Sequence, residues 1–440
     1  MNLSRRSLLS LPATGVLIPR GVLGATEYRF HHDHIMGTSL DLVVLTTSER
    51  EAETAEAAVL GEIARLSRIL STYDPRSEIS RRGGERENQS PELSALFAAY
   101  DDWNHRSGGA IATSVRGKLN VDALGKPFIA ARAVEAARRA VPGISGIMLD
   151  AGGDVIMSGG NQPPHQPWTI GVSNPQTPFH NAPPLSILHV SNGAVATSGI
   201  TARGAHIIDP RTGVPATSIL SATVIARDAI TANALSTAIC VKGATEGLQL
   251  VERTRGAECL IIPASGQPVR SAGFGRFERP VIIPAMAASG WPDGYEVVID
   301  LNLKDAGSRR PYIAVWVEDM SKHVVRNVIV FYLARKPRYL NELHTWFSLN
   351  ANNPNLAYVT TRPTPSPGRY TLHWDGLDDD KKPVSQGTYK VFVETAREHS
   401  YYEKEFAQIV CADAPASAAI KKTPEFDAIP VTYGPGKRQA

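Results

Sequence analysis

The sequence has little cysteine, almost no net charge and no long hydrophobic run. Three cysteines in 440 residues cannot form the dense disulfide framework that stabilises small exported domains. A formal net charge of +3 is too small to support nucleic-acid binding through bulk charge. The apolar stretches are far shorter than the roughly 20 residues that a membrane-spanning helix requires. The composition therefore predicts a globular protein with no transmembrane segment and no nucleic-acid partner.

The first 25 residues have the features of an export signal. Arg5 and Arg6, within the segment Ser4–Leu9, match the twin-arginine pattern, and the small residues Gly24 and Ala25 follow a modestly apolar stretch. A cytoplasmic basic tail is the alternative interpretation. Cleavage after Ala25 would remove three arginines and no acidic residue, which leaves a net charge of zero. We therefore expect a periplasmic protein that is exported by the twin-arginine route.

The patterning of apolar residues changes between Arg276 and Gly290. Before this region, strands and helices mix without regular βαβ repetition, which favours an α+β fold. From Tyr295 onward, short alternating strands with polar turns predict a small antiparallel β-sandwich. The predicted parts are a signal peptide at 1–25, an α+β domain at 26–283, an Ig-like sandwich at 290–412 and a loosely ordered, Pro- and Ala-rich tail at 413–440.

Three long helices are predicted in the first half of the α+β domain. An amphipathic stripe predicts a helix that ends at Ser71. Ser90 can cap a second helix, which stops at Gly108. A third helix is expected to run from about Pro127 to Ala140.

The segment AHIIDPRTGVPA, residues 205–216, joins a histidine to an aliphatic pair and a turn cluster. Ile207 and Ile208 are β-branched and suit a strand, whereas Asp209 and Gly213 suit a tight turn. The pattern predicts a strand that ends in a turn. It does not by itself assign a chemical role to the histidine.

Three other stretches carry polar or glycine residues where a ligand could bind. The loop STYDPRSEIS carries Tyr73, and Gly152 and Gly153 interrupt a strand so that a ligand could approach the backbone closely. Asn233 and Thr237 are four residues apart and share one helical face, where two hard oxygens could help to hold Mg²⁺. Each signal is weak alone, because glycine pairs often form bulges and helical Asn or Thr often face solvent.

In their order along the chain, these stretches resemble the ApbE family of flavin transferases, which cleave FAD and attach FMN to a threonine of an exported protein. The resemblance covers roughly Tyr28 to Pro263. It implies an α+β core unlike a Rossmann domain, which agrees with the lack of Gly-x-Gly-x-x-Gly between a strand and a helix. The matching stretches are Met36–Thr38, STYDPRSEIS, AGGD, WTIGV, AVATSG, HIIDPRTG and TANALSTA, of which the last two are the most specific.

The resemblance also implies a role for each matching residue. Asn233, Thr237 and the carbonyl oxygen of Gly125 correspond to the ligands of Mg²⁺. His206 corresponds to the base that removes the proton of the acceptor hydroxyl, and Asp209 would shape the same edge as a second catalytic residue. The residues expected to bind the flavin nucleotide are Met36, Tyr73, Gly152, Gly153, Asp154, Ser198 and Gly199, with Tyr73 packing against the flavin ring.

Two positions depart from the family pattern at the expected metal site. Asn233 and Asn120 both stand where the family has an aspartate, so the site has less negative charge for a divalent cation. Asp122 is a possible substitute carboxylate. The departures leave three hypotheses open: an FMN transferase, a carrier that binds FAD without cleaving it, and a scaffold that assembles a redox complex.

The second domain resembles an uncharacterised periplasmic module that often follows this family's core, and we expect it to face a partner. Trp316 and Trp374 alternate as core residues within it. Family acceptors carry Asp-x-x-Ser/Thr-Gly-Ala-Thr, and this segment does not occur in the chain. The expected partners are therefore FAD and a separate, exported, flavin-accepting redox protein.

Overall fold

The computed structural model describes residues 25–82, 88–160, 166–177, 179–200, 204–279, 290–304, 310–332, 337–350, 361–363, 367–397 and 401–436. The helices are α1 (Glu49–Leu70), α2 (Glu78–Arg82), α3 (Pro91–Ser107), α4 (Asp122–Ala140), α5 (Ala229–Lys242), α6 (Ala244–Glu252) and α7 (His344–Asn350). The predicted signal peptide lies outside the described residues, except for Ala25.

The first domain is built around a large antiparallel sheet. Its strands, in spatial order, are β1 (Thr26–Ile35), β2 (Thr38–Thr46), β5 (Gly146–Asp150), β6 (Asp154–Gly159), β9 (Gly193–Gly199), β10 (Ile219–Ala226), β11 (Glu258–Pro263) and β12 (Val269–Arg270). A smaller sheet contains β13 (Glu278–Arg279), β8 (Ser186–Val190) and β7 (Trp168–Val172), and a short hairpin contains β3 (Ser114–Val115) and β4 (Lys118–Leu119). The predicted α+β class is confirmed.

The two faces of the large sheet carry different partners. In β2, Leu40, Leu42 and Val44 pack with the helices in the largest core cluster. Val43 and Leu45 point to the other face and pack with residues of the smaller sheet. This alternation follows from the two-residue period of a strand and fixes the face on which each polar residue of the sheet lies.

The end of α1 and both ends of α3 agree with the prediction, and local capping residues determine the helix ends. The side chain of Ser48 accepts the N–H of Glu51 at the start of α1, and the side chain of Ser90 accepts the N–H of Leu93 in α3. Gly108 ends α3 with a φ of +62°, a conformation that glycine adopts without a steric penalty.

Helix α4 begins five residues before the predicted start at Pro127. The hydroxyl of Tyr100 accepts the N–H of Leu124 at 3.0 Å, and this contact with α3 satisfies a donor in the first turn. Pro127 therefore lies inside the helix, where it has no N–H to donate to the carbonyl of Ala123. The prediction was wrong because a residue distant in sequence stabilises the start of the helix.

The segment around His206 forms the predicted turn but not the predicted strand. Ile208 makes a single antiparallel bridge to Pro215, and Ala216 donates its N–H to the carbonyl of Ile207 at 2.8 Å. Ile207 packs against the large core, which explains its apolar character without an extended strand.

The second domain is a sandwich of two sheets. One contains β18 (Gly368–Trp374), β14 (Tyr295–Leu303), β22 (Ile429–Pro435) and β21 (Ala416–Ile420); the other contains β17 (Thr361–Pro363), β16 (Val324–Tyr332), β15 (Tyr312–Asp319), β19 (Gly387–Ala396) and β20 (Tyr402–Cys411). Trp316 and Trp374 are fully buried, as expected of core residues.

The predicted loose tail at 413–440 is wrong for its described part. Strand β22 pairs with β14 along Tyr295–Ile299, and β21 pairs with β22. Phe426, Ile429 and Val431 are buried in the sandwich core. The Pro- and Ala-rich composition concealed a two-residue apolar alternation that completes the sheet.

Within the described part of the chain, no helix has the length and the apolar character needed to cross a membrane.

Candidate functional site

Several predicted site residues lie at one end of the large sheet. There, β5 ends at Asp150, β6 begins at Asp154 and β9 ends at Gly199. The strand register pairs Asp154 with Ala196 and Gly199 with Ser221, so these strand ends lie side by side. We call this edge the site end of the sheet.

The turn between β1 and β2 reaches the site end. Met36 and Gly37 have φ angles of +51° and +74°, and a non-glycine residue in this region is uncommon. A Cβ atom on Gly152 would lie 2.1 Å from Oγ1 of Thr38, so no larger residue fits there. A Cβ atom on Gly153 would meet open space. The glycine turn is therefore closed against β2 on one side, while Gly153 leaves its backbone open to a ligand.

Two carboxylates flank the glycine turn. Oδ1 of Asp150 accepts the N–H of Gly153 at 2.7 Å. Burial raises the pKa of Asp150, and neighbouring carboxylates, including that of Asp154, act in the same direction. Nζ of Lys126, in α4, lies 3.7 Å from the carboxylate of Asp154. The sequence prediction missed Lys126, although its place directly after Gly125 could have indicated it.

Hydroxyl groups connect β9 to α5 at the site end. Oγ of Ser198 lies 2.8 Å from Oγ of Ser236 and 3.4 Å from Oγ1 of Thr237. Ser236 is fully buried and donates to the carbonyl of Asn233 at 3.1 Å, so Ser198 is the donor to Ser236. The structure thus brings a predicted flavin-binding residue, Ser198, to a predicted metal ligand, Thr237. Ser236 was not predicted, and nothing in the local sequence distinguishes it.

Asn233 lies one turn before Thr237 and is buried. Its Nδ2 donates a long hydrogen bond of 3.4 Å to the carbonyl of Ala229 in the same helix. Amide and hydroxyl oxygens are hard, neutral donors of the type that Mg²⁺ accepts together with water and phosphate. Among the described residues, no group of three or more His, Cys, Asp or Glu side chains could hold a metal ion. The α5 donors therefore fit Mg²⁺ in chemical type but supply no carboxylate.

The start of α4 carries the third predicted ligand, Gly125, whose N–H donates to the carbonyl of Val121 at 2.7 Å. Oδ1 of Asn120 accepts the N–H of Asp122 at 3.0 Å, so the side chain of Asn120 stabilises the start of the helix. The carboxylate of Asp122 accepts the hydroxyl of Tyr73 at 3.1 Å. Tyr73 is 82% exposed.

His206 is exposed at the start of the hairpin turn. Its Nδ1 lies 3.0 Å from the carbonyl oxygen of Gly204, which also accepts the backbone N–H of His206 at 2.8 Å. Because a carbonyl oxygen can only accept, Nδ1 carries a proton, and in the neutral ring Nε2 then keeps its lone pair. A general base requires this tautomer, with Nε2 directed to the reacting group.

Asp209 holds the hairpin turn together. Its carboxylate binds the guanidinium of Arg211 at 2.8 and 2.9 Å, and its backbone carbonyl accepts the N–H of Gly213 at 2.8 Å. The hydrogen bonds from Arg211 hold the pKa of Asp209 below its ordinary value. Nε of Arg116 donates to the carbonyl of Gly213 and fastens the turn to the β3–β4 hairpin. These contacts hold the turn in shape, and a catalytic role of Asp209 stays a prediction.

The hairpin that carries His206 is not bonded through that side chain to the other described parts of the candidate site. Between described residues, no hydrogen bond or ion pair joins the side chain of His206 to α5 or to the glycine turn. A substrate that contacts both parts would have to bridge them.

The comparisons with known proteins identify both domains. Residues 111–261 match the model of the ApbE family, and residues 294–427 match that of a predicted periplasmic protein family, DUF2271. A FAD:protein FMN transferase of Vibrio cholerae is 30% identical over 129 residues, which are 27% of this chain and 38% of that protein. A FAD:protein FMN transferase of Haemophilus influenzae is 34% identical over 124 residues, which are 26% of this chain and 35% of that protein. The matched region thus spans well under half the length of these relatives.

The crystal structure of an ApbE protein from Thermotoga maritima has the same fold as the first domain. The TM-score is 0.51 at 26% sequence identity, and the match covers 58% of this chain and 100% of that chain. The predicted ApbE-like core is therefore confirmed. This chain contains an ApbE family domain followed by a domain of the DUF2271 family of predicted periplasmic proteins.

Proposed function

We propose that the protein is an FAD:protein FMN transferase, which cleaves FAD, attaches FMN to a threonine of an exported acceptor protein and releases AMP. The observation that carries the proposal is the arrangement at the site end. Ser198 of β9 lies 3.4 Å from Thr237 of α5, and β9 pairs with β6, the strand that follows the Gly152–Gly153 turn. The curated relatives named for this activity support it.

The flavin nucleotide would lie along the open side of the glycine turn. Gly153 offers its backbone, while Met36, Asp154, Ser198 and Gly199 line the neighbouring strand ends. The exposed ring of Tyr73 supplies an apolar face for the isoalloxazine.

The transfer step exchanges one phosphorus–oxygen bond for another. The threonine oxygen of the acceptor attacks the phosphorus atom of the FMN half, and the bond from that phosphorus to the AMP half breaks. The Nε2 lone pair of His206 takes the proton of the threonine hydroxyl. Asp209 and Arg211 keep the hairpin that presents this base in shape.

The donor set on α4 and α5 would hold Mg²⁺. The amide oxygen of Asn233, the hydroxyl of Thr237 and the carbonyl oxygen of Gly125 are the proposed ligands. A Mg²⁺ ion held by these residues would offset the negative charge of the pyrophosphate oxygens.

We also propose that the protein acts in the periplasm after export by the twin-arginine route, where its acceptor is a flavin-binding redox protein. The description of the DUF2271 family as periplasmic supports this location. The Arg5–Arg6 pair in the first residues of the chain supports the route.

One observation favours a second candidate, a carrier that binds FAD without cleaving it. Asn233 stands where the family has a carboxylate, and the described residues offer no acidic cluster for a metal ion. A carrier would keep the flavin-binding surface and lose the transfer step.

Purified protein incubated with FAD, Mg²⁺ and a flavin-acceptor domain separates these functions. We expect release of AMP and flavin fluorescence on the acceptor band of a denaturing gel. Bound, intact FAD without AMP at any Mg²⁺ concentration would support the carrier. Failure to bind FAD would reject both and leave a scaffold.

A further inference from the structure

Three polar side chains form a row across the large sheet that ends at the glycine turn. His31 of β1 is the register partner of Asp41 in β2, and Asp41 is the register partner of Asp150 in β5. Directly paired residues of a sheet share a face, so the three side chains lie in line. The row ends at Gly153, whose N–H donates to Asp150 at 2.7 Å.

An arginine of the sandwich domain reaches the other end of the row. Nη1 of Arg310 lies 2.9 Å from Nε2 of His31, and Arg310 also forms an ion pair with Asp33. The side chain of Arg310 is 15% exposed, so solvent screens this contact little. Arg310 of the second domain therefore places a positive charge against β1 of the first domain, at the end of the row that is far from the glycine turn.

The hydrogen bonds in the row have a defined direction. A guanidinium group can only donate, so Nε2 of His31 must accept from Arg310. The proton of the imidazole is then on Nδ1, which donates to Oδ1 of Asp41 at 2.5 Å. Oδ1 of Asp33 lies 3.6 Å from the same Nε2 atom, which is too far for a hydrogen bond. Asp41 and Arg310 thus require the same tautomer, and the bond from Arg310 keeps Nε2 of His31 unprotonated while Nδ1 binds Asp41.

A second set of contacts holds the sandwich in the position that this geometry needs. The ring of Phe179 stacks on His373 of β18 at a centroid distance of 4.7 Å. Asn181 donates to the carbonyl of His373 at 2.7 Å and accepts its N–H at 3.0 Å. His180 donates its N–H to the carbonyl of Thr371 at 2.9 Å. These bonds join the loop before β8 to an edge strand of the sandwich.

Several carboxylates lie near the row. Asp33, Asp41 and Asp150 bring carboxylates to the β1–β2–β5 region, and Asp154 adds another on the helix side of the sheet. Lys126 faces Asp154 from α4. Arg310 and Lys126 therefore lie at opposite ends of this acidic region. Arg310 offsets the negative charge of the carboxylates at its own end.

The geometry points to Arg310 as a positioning residue of the flavin site, by which the sandwich domain orients the Gly152–Gly153 turn through His31, Asp41 and Asp150. This inference rests on the proposed function, because it assigns FAD to that turn. It gives the DUF2271 domain a role in binding the substrate, beyond contact with a protein partner.

The test compares the affinity of full-length mature variants for FAD, measured by the fluorescence of the bound flavin. We expect Arg310→Gln to weaken FAD binding by about tenfold and Arg310→Lys to restore most of it, because a lysine still supplies a donor and a charge. Lys404→Gln removes an exposed positive charge from β20 of the same domain, and this matched control should bind FAD like the wild type.

A double mutant tests whether Arg310 acts through the row. His31→Gln should weaken binding by a similar factor, and the Arg310→Gln/His31→Gln double variant should lose no more than either single variant. Independent, multiplying losses would overturn the relay. If Arg310→Gln does not fold, His31→Gln and Arg310→Lys still carry the comparison.

Nitrogen-15 NMR of the imidazole of His31 gives a readout that simple loss of packing does not change. We expect the neutral form with the proton on Nδ1 in the wild type and loss of that form in Arg310→Gln. If Arg310→Gln binds FAD as tightly as the wild type does, the inference is wrong, and the proposed function stays intact. A wild type that does not bind FAD would reject the proposed function, and the role in flavin binding with it.

Discussion

The hydroxyl groups of Ser198 and Thr237 lie 3.4 Å apart, across the contact between β9 and α5. This pair joins two segments that the sequence places 39 residues apart and that resemblance assigns to flavin and to metal, respectively. The account of the site depends on this proximity, because one substrate must contact both groups.

Replacement of the proposed base should separate chemistry from binding. We expect His206→Ala to lower the rate of AMP release by about 10²- to 10⁴-fold and to leave FAD affinity unchanged, since the side chain is exposed and, among the described residues, bonds to Gly204 alone. His105→Ala, on the exposed last turn of α3, is the control. Transfer at the wild-type rate in His206→Ala would reject the base assignment.

A carboxylate restored at position 233 should tighten the metal site. We expect Asn233→Asp to lower the Mg²⁺ concentration for half-maximal AMP release on the order of tenfold, because charge strengthens an oxygen site. Without Mg²⁺ the buried charge should lower the Tm, and Mg²⁺ should recover it.

Asn192→Asp, at an exposed turn position, adds the same charge away from the proposed metal site. If Asn233→Asp and this control respond to Mg²⁺ alike, in both the Tm and the rate of AMP release, then Asn233 is not a ligand.

The raised pKa of Asp150 should appear in the pH dependence of stability. Burial lifts this pKa above the ordinary value of 3.8, so the folded state binds the proton more tightly than the unfolded state. The free energy of unfolding therefore falls as the pH rises from 3.8 through the folded-state pKa.

Asp150→Asn keeps an acceptor for the N–H of Gly153 and cannot ionise. It should be more stable than the wild type at neutral pH, and the advantage should vanish below pH 3.8. Urea unfolding at a series of pH values measures both, with Asp102→Asn on the exposed face of α3 as the control. A constant difference at every pH would contradict the assignment.

An ion pair in the segment that joins β21 to β22 should contribute strongly to the stability of the sandwich. Glu425 is 2% exposed and binds Arg397 at 2.5 and 2.7 Å. Glu425→Ala removes the carboxylate that binds the buried guanidinium of Arg397, so we expect the free energy of unfolding to fall by about 3–5 kcal/mol. Lys421→Ala, an exposed neighbour, should change it little. Equal values for the two variants would show that the pair contributes nothing.

The sequence predicted those features that local chemistry determines. Ser90 and Gly108 set the ends of α3 through their own side chain and backbone, so the predicted boundaries agree. The start of α4 and the position of β22 depend on Tyr100 and on pairing with β14, both distant in sequence. Periodicity within one segment cannot reveal such partners.

In the candidate site, too, some features could be predicted from the sequence and others could not. Its residues came from resemblance to a family, and the structure brings Thr38 to Gly152 and Ser198 to Thr237. The contacts that set the charge of the site are tertiary: the place of Lys126 after Gly125 could indicate the lysine, but not its partner Asp154. The residue types could therefore be predicted, while their electrostatic surroundings could not.

A crystal structure of the mature protein with FAD and Mg²⁺ would show where the dinucleotide binds. We expect it on the open side of Gly153, with its pyrophosphate between the Thr237 hydroxyl and the His206 hairpin. FAD bound elsewhere, or a closed site end at saturating FAD, would contradict this expectation.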